Sequence, residues 1–432
     1  MFLHSCLCGV SLPEKKPSRK RSYVRVRKPA ASRELDGNFA SLVKPLIPAA
    51  PSVPPTTQQI APLVHLEYQD ELNLKNRGLH LFWQRHALPG QPDAIIASPR
   101  PRGYRTTSKR KVVLRGSTLS LFFGDRTGDQ KRPFLPSPLE PASHERIFRF
   151  LQKKLSEPAF RLAAAHLNHL IIRGSYSERV VIFNVDAMNG PLVRKFKILA
   201  EHLQKERVSV AAAFVFFDPT RSDYYLENRR PDAFNFKRLF GPEFLTAEFA
   251  GCRYRYHPTS FSQVNESMVE VMLRQARELL APGANEFLLD LYCGYGLFSQ
   301  FLASAYRQVL GIDFEGPSIK SAVANARLNP GRVRYLARLI TADSLQEVLA
   351  GAPPPDAVLL DPPRHGPQEG VIPTLVRYRP AKVLHIFCGV DQIPDSLKEW
   401  RANGYQVQRI VPLDMFPGSA NLEILILLTP KQ

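Results

Sequence analysis

The chain has 432 residues, 44% of them hydrophobic, and a formal net charge of +19. Such a length exceeds one ordinary core and points to two or three compact units. No apolar run reaches the roughly 18 to 20 residues of a membrane-spanning helix, and Phe2 to Val10 lacks a preceding positive region, so a soluble, unsecreted protein without membrane contact is expected.

The charge is uneven: residues 1–136 carry 23 Lys/Arg against 9 Asp/Glu. That asymmetry points first to a polyanionic partner, nucleic acid above all. Residues 1–60 combine a basic run (Lys15, Lys16, Arg19 to Arg21, Arg25, Arg27, Lys28) with the Pro-rich stretch Pro45 to Pro62 and read as a disordered extension. An RNA-gripping arm or an organelle transit peptide would share that composition. Five cysteines, of which only Cys6 and Cys8 lie close together, offer neither a disulfide framework nor a metal or iron–sulfur ligand set. A reducing compartment fits, the cytoplasm first and an organelle matrix if the N-terminus is a transit peptide.

Residues 61–255 read as a central mixed α+β domain. Strands are expected at Lys111–Leu114, His169–Ile172, Val180–Phe183 and Val208–Phe217. Helices are expected at about 144–155 and 191–205, where apolar residues recur every three or four positions.

Residues 256–432 alternate helices and strands. A helix over Val264–Leu280, stopped by Ala281-Pro282-Gly283, precedes strands at Phe287–Leu291, Gln308–Asp313, Val333–Leu336, Ala357–Leu360, Val383–Phe387, Tyr405–Val411 and Leu422–Leu428. Seven strands with helical crossovers make a doubly wound, Rossmann-like α/β sheet. The last two are joined without a helix, so the final strand is expected to be antiparallel.

Within this region, Leu288 to Ser299 runs from a strand through Gly294-Tyr295-Gly296 into a helix, and the next strand ends in Asp313. A glycine turn lets the backbone approach a ligand, and a carboxylate about twenty residues on can accept ribose hydroxyls. Ser299 stands where a dinucleotide fingerprint has its third glycine, and no phosphate-binding lysine follows. A non-phosphorylated adenosine ligand is therefore favoured over NAD or ATP.

Further motifs follow in order: Phe261-Ser262-Gln263-Val264-Asn265, Asp361-Pro362-Pro363-Arg364, Ile386-Phe387-Cys388-Gly389 and Asp414 to Glu423. Together, over roughly residues 95–430, they resemble the RNA uracil-5-methyltransferase family. The resemblance implies S-adenosylmethionine as cofactor, with Gln263, Tyr292, Gly294, Asp313 and Asp361 contacting it. It implies Cys388 as nucleophile toward uracil carbon 6, Glu423 as base toward carbon 5, and transfer or ribosomal RNA as substrate. Departures include Phe387 for a serine, Gly389-Val390 for Asn-Pro and Asn421 for a histidine, which leaves open a catalytically impaired RNA-binding or RNA-folding protein on the same scaffold. The family's N-terminal RNA-binding barrel and cluster cysteines have no counterpart. The expected RNA contacts are Arg102, Tyr104 and Arg105, where positive charge adjoins an aromatic, together with Arg364. A monomer without an obligate protein partner is expected.

Overall fold

A stripe of buried residues, Glu71, Leu72, Lys75, Gly78, Leu79, Phe82 and Trp83, repeats with helical period and forms the inner face of the longest helix. In the computed structural model, which describes residues 38–50, 52–116, 118–123, 136–206, 209–221 and 235–431, this is α3 (Tyr68–Arg85), preceded by α1 (Phe39–Val43) and α2 (Pro55–Ile60). Gly78 lets α1 lie against α3, because a Cβ there would stand 2.5 Å from the Val43 side chain. Residues 38–60, expected in the extension, are thus partly helical, with Phe39 and Val43 buried in the core. The described residues from 38 onward cluster as a single unit. The basic run at 15–28 lies outside the described residues.

The central region holds β1 (Ser108–Arg115), β2 (Thr118–Phe123), α4 (Ala142–Leu155), α5 (Arg161–Ala165), β3 (Leu167–Gly174), β4 (Arg179–Val185), α6 (Gly190–Lys205), β5 (Ala212–Phe217) and β6 (Phe236–Phe240). Its six strands run in the order β2-β1-β3-β4-β5-β6, with β4 and β5 parallel across the α6 crossover. Side chains alternate between the two faces of a strand. Leu170, Ile172, Phe183 and Val215 pack against Phe148, Phe196 and Leu199, while Ile171, Ile182 and Phe214 share a core with Tyr256, Met272 and Leu288. Both faces are therefore covered, and the second core runs on into the C-terminal region.

A hairpin, β7 (Leu245–Phe249) and β8 (Cys252–Tyr256), leads to α7 (Val269–Leu280). The helix starts later than residue 264 because Val264 and Asn265 are tied to other segments and a single 3-10 turn, Glu266–Met268, precedes it. Thr106 donates its N–H to the Val264 carbonyl at 2.9 Å, and the Asn265 amide donates to Ser98 Oγ at 3.0 Å and to the Met415 carbonyl at 3.2 Å. Then follow β9 (Phe287–Leu291), α8 (Leu297–Leu302), β10 (Gln308–Asp313), α9 (Pro317–Asn325), β11 (Val333–Ala337), α10 (Ala342–Ala350), β12 (Ala357–Leu360), α11 (Val371–Arg377), β13 (Lys382–Phe387), α12 (Ile393–Ala402), β14 (Tyr405–Leu413) and β15 (Glu423–Pro430). The sheet order is β11-β10-β9-β12-β13-β15-β14, and β15 runs antiparallel to both neighbours, as its helix-free connection implied. Strand order reverses between β9 and β12, which is where such sheets open a ligand crevice at their carboxyl edge. Among the described residues no helix is long and apolar enough to cross a membrane.

Candidate active site

Register sets the rim of the crevice. Leu291 lies beside Ile312 on one side and Leu360 on the other, so the residues that follow, Tyr292, Asp313 and Asp361, emerge together at one edge. On the far side, Phe387 of β13 pairs with Ile424 of β15; continuing that antiparallel register by one residue sets Cys388 opposite Glu423. The nucleophile and base named by the resemblance thus come from adjacent strands, beside the carboxylates of β10 and β12.

The glycine loop is shaped by backbone geometry. Tyr292 has φ +63°, an uncommon value for a bulky residue, while Gly294 (+58°) and Gly296 (+85°) use the freedom that glycine provides. The Gly294 N–H donates to Asp313 Oδ2 at 2.7 Å, so the ribose-type carboxylate also fixes the turn. A Cβ on Gly296 would stand 2.3 Å from the Tyr335 hydroxyl, which the Gln300 amide holds at 2.6 Å. Gly296→Ala therefore meets both a strained φ and an overlap, and is expected to lose about 2 kcal/mol of stability, read by denaturant unfolding.

Asp290 is a site residue that motif reading passed over. It is fully buried, accepts from Ser299 Oγ through one oxygen, and has no partner on Oδ1. Ser299, seen in the sequence only as a missing glycine, supports this carboxylate. Burial raises Asp290 to about 7, with Asp361 and Asp313 adding to the shift against the Ser299 hydrogen bond. Burial likewise lifts Asp313 to about 6, and burial with the Asp313 charge lifts Asp361 to about 7. A carboxylate inside the apolar run Phe287 to Leu291 was the available signal.

Glu423 is 2% exposed, and its Oε2 is buried without a partner. Burial and the Asp361 charge hold its carboxyl well above the usual range, against a lowering pull from Arg364. The half-buried Cys388 thiol is pushed up to about 11 by burial, Asp361 and Glu423, while a hydrogen bond from the Gln392 amide (3.6 Å to Sγ) and the Arg364 charge pull it down. Arg364 is exposed and near enough for its charge to act on both groups. Phe387, in the place of a serine, is buried and stacks on His385 with ring centroids 3.9 Å apart, so it belongs to the core beneath the site.

Gln263 lies apart from the rim, half-buried in a small cavity with Gly174, Ser262, Glu266 and Tyr295 of the glycine loop. Arg173 of the central sheet holds that segment, donating to the Pro258 carbonyl at 2.6 Å and to Ser262 Oγ at 2.9 Å. The expected RNA grip is otherwise built. Tyr104 is fully buried and donates its hydroxyl to the Pro417 carbonyl at 3.0 Å, so its ring is not a stacking platform. The Arg102 guanidinium is paired with buried Glu71 at 3.0 Å, and Arg105 donates to the Thr107 carbonyl at 3.1 Å. Partners distant in sequence, Glu71 and the Pro417 carbonyl, hold Arg102 and Tyr104, while Arg105 bonds locally.

Asp290 Oδ1 and Glu423 Oε2 are buried polar atoms without partners, each costing about 1–3 kcal/mol if left so. Beside the carboxylates of Asp313 and Asp361, they complement a ligand that brings positive charge and hydroxyls. S-adenosylmethionine, with its sulfonium, ammonium and ribose diol, fits that donor set.

Residues 232–431 match the family described as tRNA (Uracil-5-)-methyltransferase. Over 381 residues the chain is 26% identical to an uncharacterized RNA methyltransferase of Geobacter sulfurreducens, covering 86% of this chain and 75% of that protein. Over 181 residues it is 33% identical to the 23S rRNA (uracil(1939)-C(5))-methyltransferase of a Marinomonas species, covering 42% and 40% of the two chains. The crystal structure of Pyrococcus abyssi tRNA (uracil-54, C5)-methyltransferase in complex with S-adenosyl-L-homocysteine superposes with a TM-score of 0.65 over 85% of each chain at 21% identity, a likeness of fold.

Proposed function

Because residues 232–431 match the tRNA (Uracil-5-)-methyltransferase family, we propose that the chain is a member of it and uses S-adenosylmethionine to make 5-methyluridine in structured transfer or ribosomal RNA, with Cys388 as nucleophile and Glu423 as base. The observation that supports this reading is the β13–β15 pairing, whose last pair, Phe387 with Ile424, adjoins both Cys388 and Glu423 at the edge where Asp361 and Asp313 also emerge.

Carbon 5 of uracil is a weak nucleophile. The Cys388 thiolate adds to carbon 6, forming a C–S bond and sending the ring's π electrons toward carbon 5 and the carbonyl oxygen as an enolate. When bound, S-adenosylmethionine supplies an electrophilic methyl group on a sulfonium. The Glu423 carboxylate then takes the remaining proton from carbon 5; those electrons re-form the C5–C6 double bond, and the C6–S pair returns to Cys388. Tyr292, Gly294, Asp313 and Asp361 are assigned to holding the cofactor, with Asp290 beneath them, and Gln263 to the adjoining wall. A target uracil that is stacked or paired must be presented from a loop or flipped into the crevice.

The thiol and the Glu423 carboxyl both act deprotonated, and both are held above their ordinary values in the free protein. At neutral pH most molecules therefore carry the Cys388 thiol protonated, and kcat/KM for RNA is expected to rise steadily from pH 6 to 9, about tenfold per unit where the thiol limits. Arg364→Ala removes a charge that lowers both groups, so the same rise should move to higher pH. A pH–rate series on both proteins reads this; a fall above pH 7, or identical profiles, would contradict it.

The direct test is incubation with unmodified tRNA and rRNA transcripts and methyl-labelled S-adenosylmethionine, followed by nucleoside analysis. Label in 5-methyluridine is expected. RNA binding with no label in any nucleoside would favour a non-catalytic RNA-folding role, and label in another nucleoside would sink the uracil assignment.

A further inference from the structure

The nine residues between β14 and β15, Asp414 to Leu422, end at Glu423, and Leu413 and Glu423 are register partners across their base. This loop is held by side chains from far upstream. Lys75, fully buried on α3, donates to Asp414 Oδ1 at 2.8 Å and to the Phe416 carbonyl at 3.2 Å. Tyr68, two turns earlier, donates its hydroxyl to Asp414 Oδ2 at 3.0 Å. Glu71 accepts the Gly418 N–H and pairs with Lys75 at 2.8 Å and Arg102 at 3.0 Å. Tyr104 caps the Pro417 carbonyl, and Gly418, at φ +83°, has no room for a Cβ beside Leu139 (2.7 Å).

Two cations, Lys75 and Arg102, meet two carboxylates, Glu71 and Asp414, so the cluster is neutral, and it grips the loop through the Asp414 side chain, the Phe416 carbonyl and the Gly418 N–H. An apolar cluster would bury as well without fixing carbonyl and N–H positions; buried ionic networks are weak sources of net stability and stronger sources of defined geometry. A base must reach its proton within a few tenths of an ångström, and a 1 Å misplacement can cost about a hundredfold.

We propose that α3 is the strut of the general base: Lys75, with Tyr68 and Tyr104, acts as a set of positioning residues that hold the 414–422 loop and thereby Glu423, without touching uracil or cofactor. The proposal rests on Glu423 being the base. It has a specific kinetic consequence. A displaced base leaves the addition of Cys388 and the methyl transfer intact but slows removal of the carbon-5 proton, so the C6–S bond persists and the covalent protein–RNA species accumulates.

Lys75→Met strands two buried carboxylates and can fail to fold, so the decisive variant is Tyr68→Phe/Tyr104→Phe, which removes two hydroxyls and no charge. With ordinary uridine RNA and S-adenosylmethionine, the double variant is expected to lower kcat about tenfold, to raise the fraction of protein in denaturation-resistant RNA adduct, and to leave the rate of adduct formation and the KM for cofactor unchanged. Lys75→Arg, which keeps the charge, should fall between it and wild type. A fall in kcat without adduct accumulation, or unchanged kcat, would overturn the strut. The underlying reading fails separately: in that case Glu423→Gln accumulates no adduct on ordinary uridine RNA.

Discussion

Cys388→Ala is expected to abolish 5-methyluridine formation, by roughly four orders of magnitude or more, while leaving the fold in place. The substitution removes one sulfur atom from a half-buried position just past β13, for which a stability loss of about 1 kcal/mol is ordinary. The chemistry has no substitute for that atom. Without a thiolate at carbon 6 no electron density reaches carbon 5, and none of the neighbouring groups, Asp361, Glu423, Arg364 or Gln392, is a nucleophile of comparable softness. Equilibrium dialysis with S-adenosylmethionine should show cofactor retention, since Cys388 is not assigned to holding it. Residual activity within tenfold of wild type would return Cys388 to the status of a small buried hydrophobe.

Glu423→Gln should cut turnover by about 10²–10⁴-fold and should do so in a distinguishable way. The amide is nearly isosteric and cannot take a proton, so the reaction halts after methyl transfer and the covalent species builds up on ordinary uridine RNA. Stability should move the other way. Burial raises the Glu423 carboxyl in the folded chain, so the folded state holds a proton that the unfolded state releases above its ordinary value. The carboxyl's contribution to stability is therefore complete at low pH and is lost as pH rises through the raised value. Glutamine has no such loss, and the variant should unfold at equal or higher denaturant than wild type at pH 8. A buried carboxylate kept without an internal partner for one oxygen is the kind of stability cost that accompanies function.

The C-terminal sheet was legible because most of its strands, β11 excepted, are short apolar runs closed by Gly, Pro or Asp, and because the missing helix before β15 left only an antiparallel return. Cys388 and Glu423 were legible through motif order. The register that sets them opposite each other was not, since pairing between β13 and β15 depends on the whole sheet. Helix α3 escaped notice because its inner stripe carries Glu71 and Lys75, which interrupt the apolar period; their partners Asp414 and Gly418 lie more than 330 residues away. The same distance hid the partners of Arg102 and Tyr104, Glu71 and the Pro417 carbonyl, from a reading of their local surroundings. Asp290 was within reach, for the rule that drew attention to Glu423, a carboxylate in an apolar strand, applies to it equally.

The central claim, that Cys388 attacks uracil while Glu423 waits to release the product, is tested most directly by RNA carrying 5-fluorouracil at the target site. Fluorine replaces the proton that Glu423 must remove, so the C6–S bond cannot be resolved after methyl transfer. Wild-type protein with S-adenosylmethionine should give a stable one-to-one protein–RNA adduct, and peptide mass analysis should locate it on Cys388. An adduct on Cys252 or Cys293, or none on a transcript that the protein methylates when it carries ordinary uridine, would contradict the account.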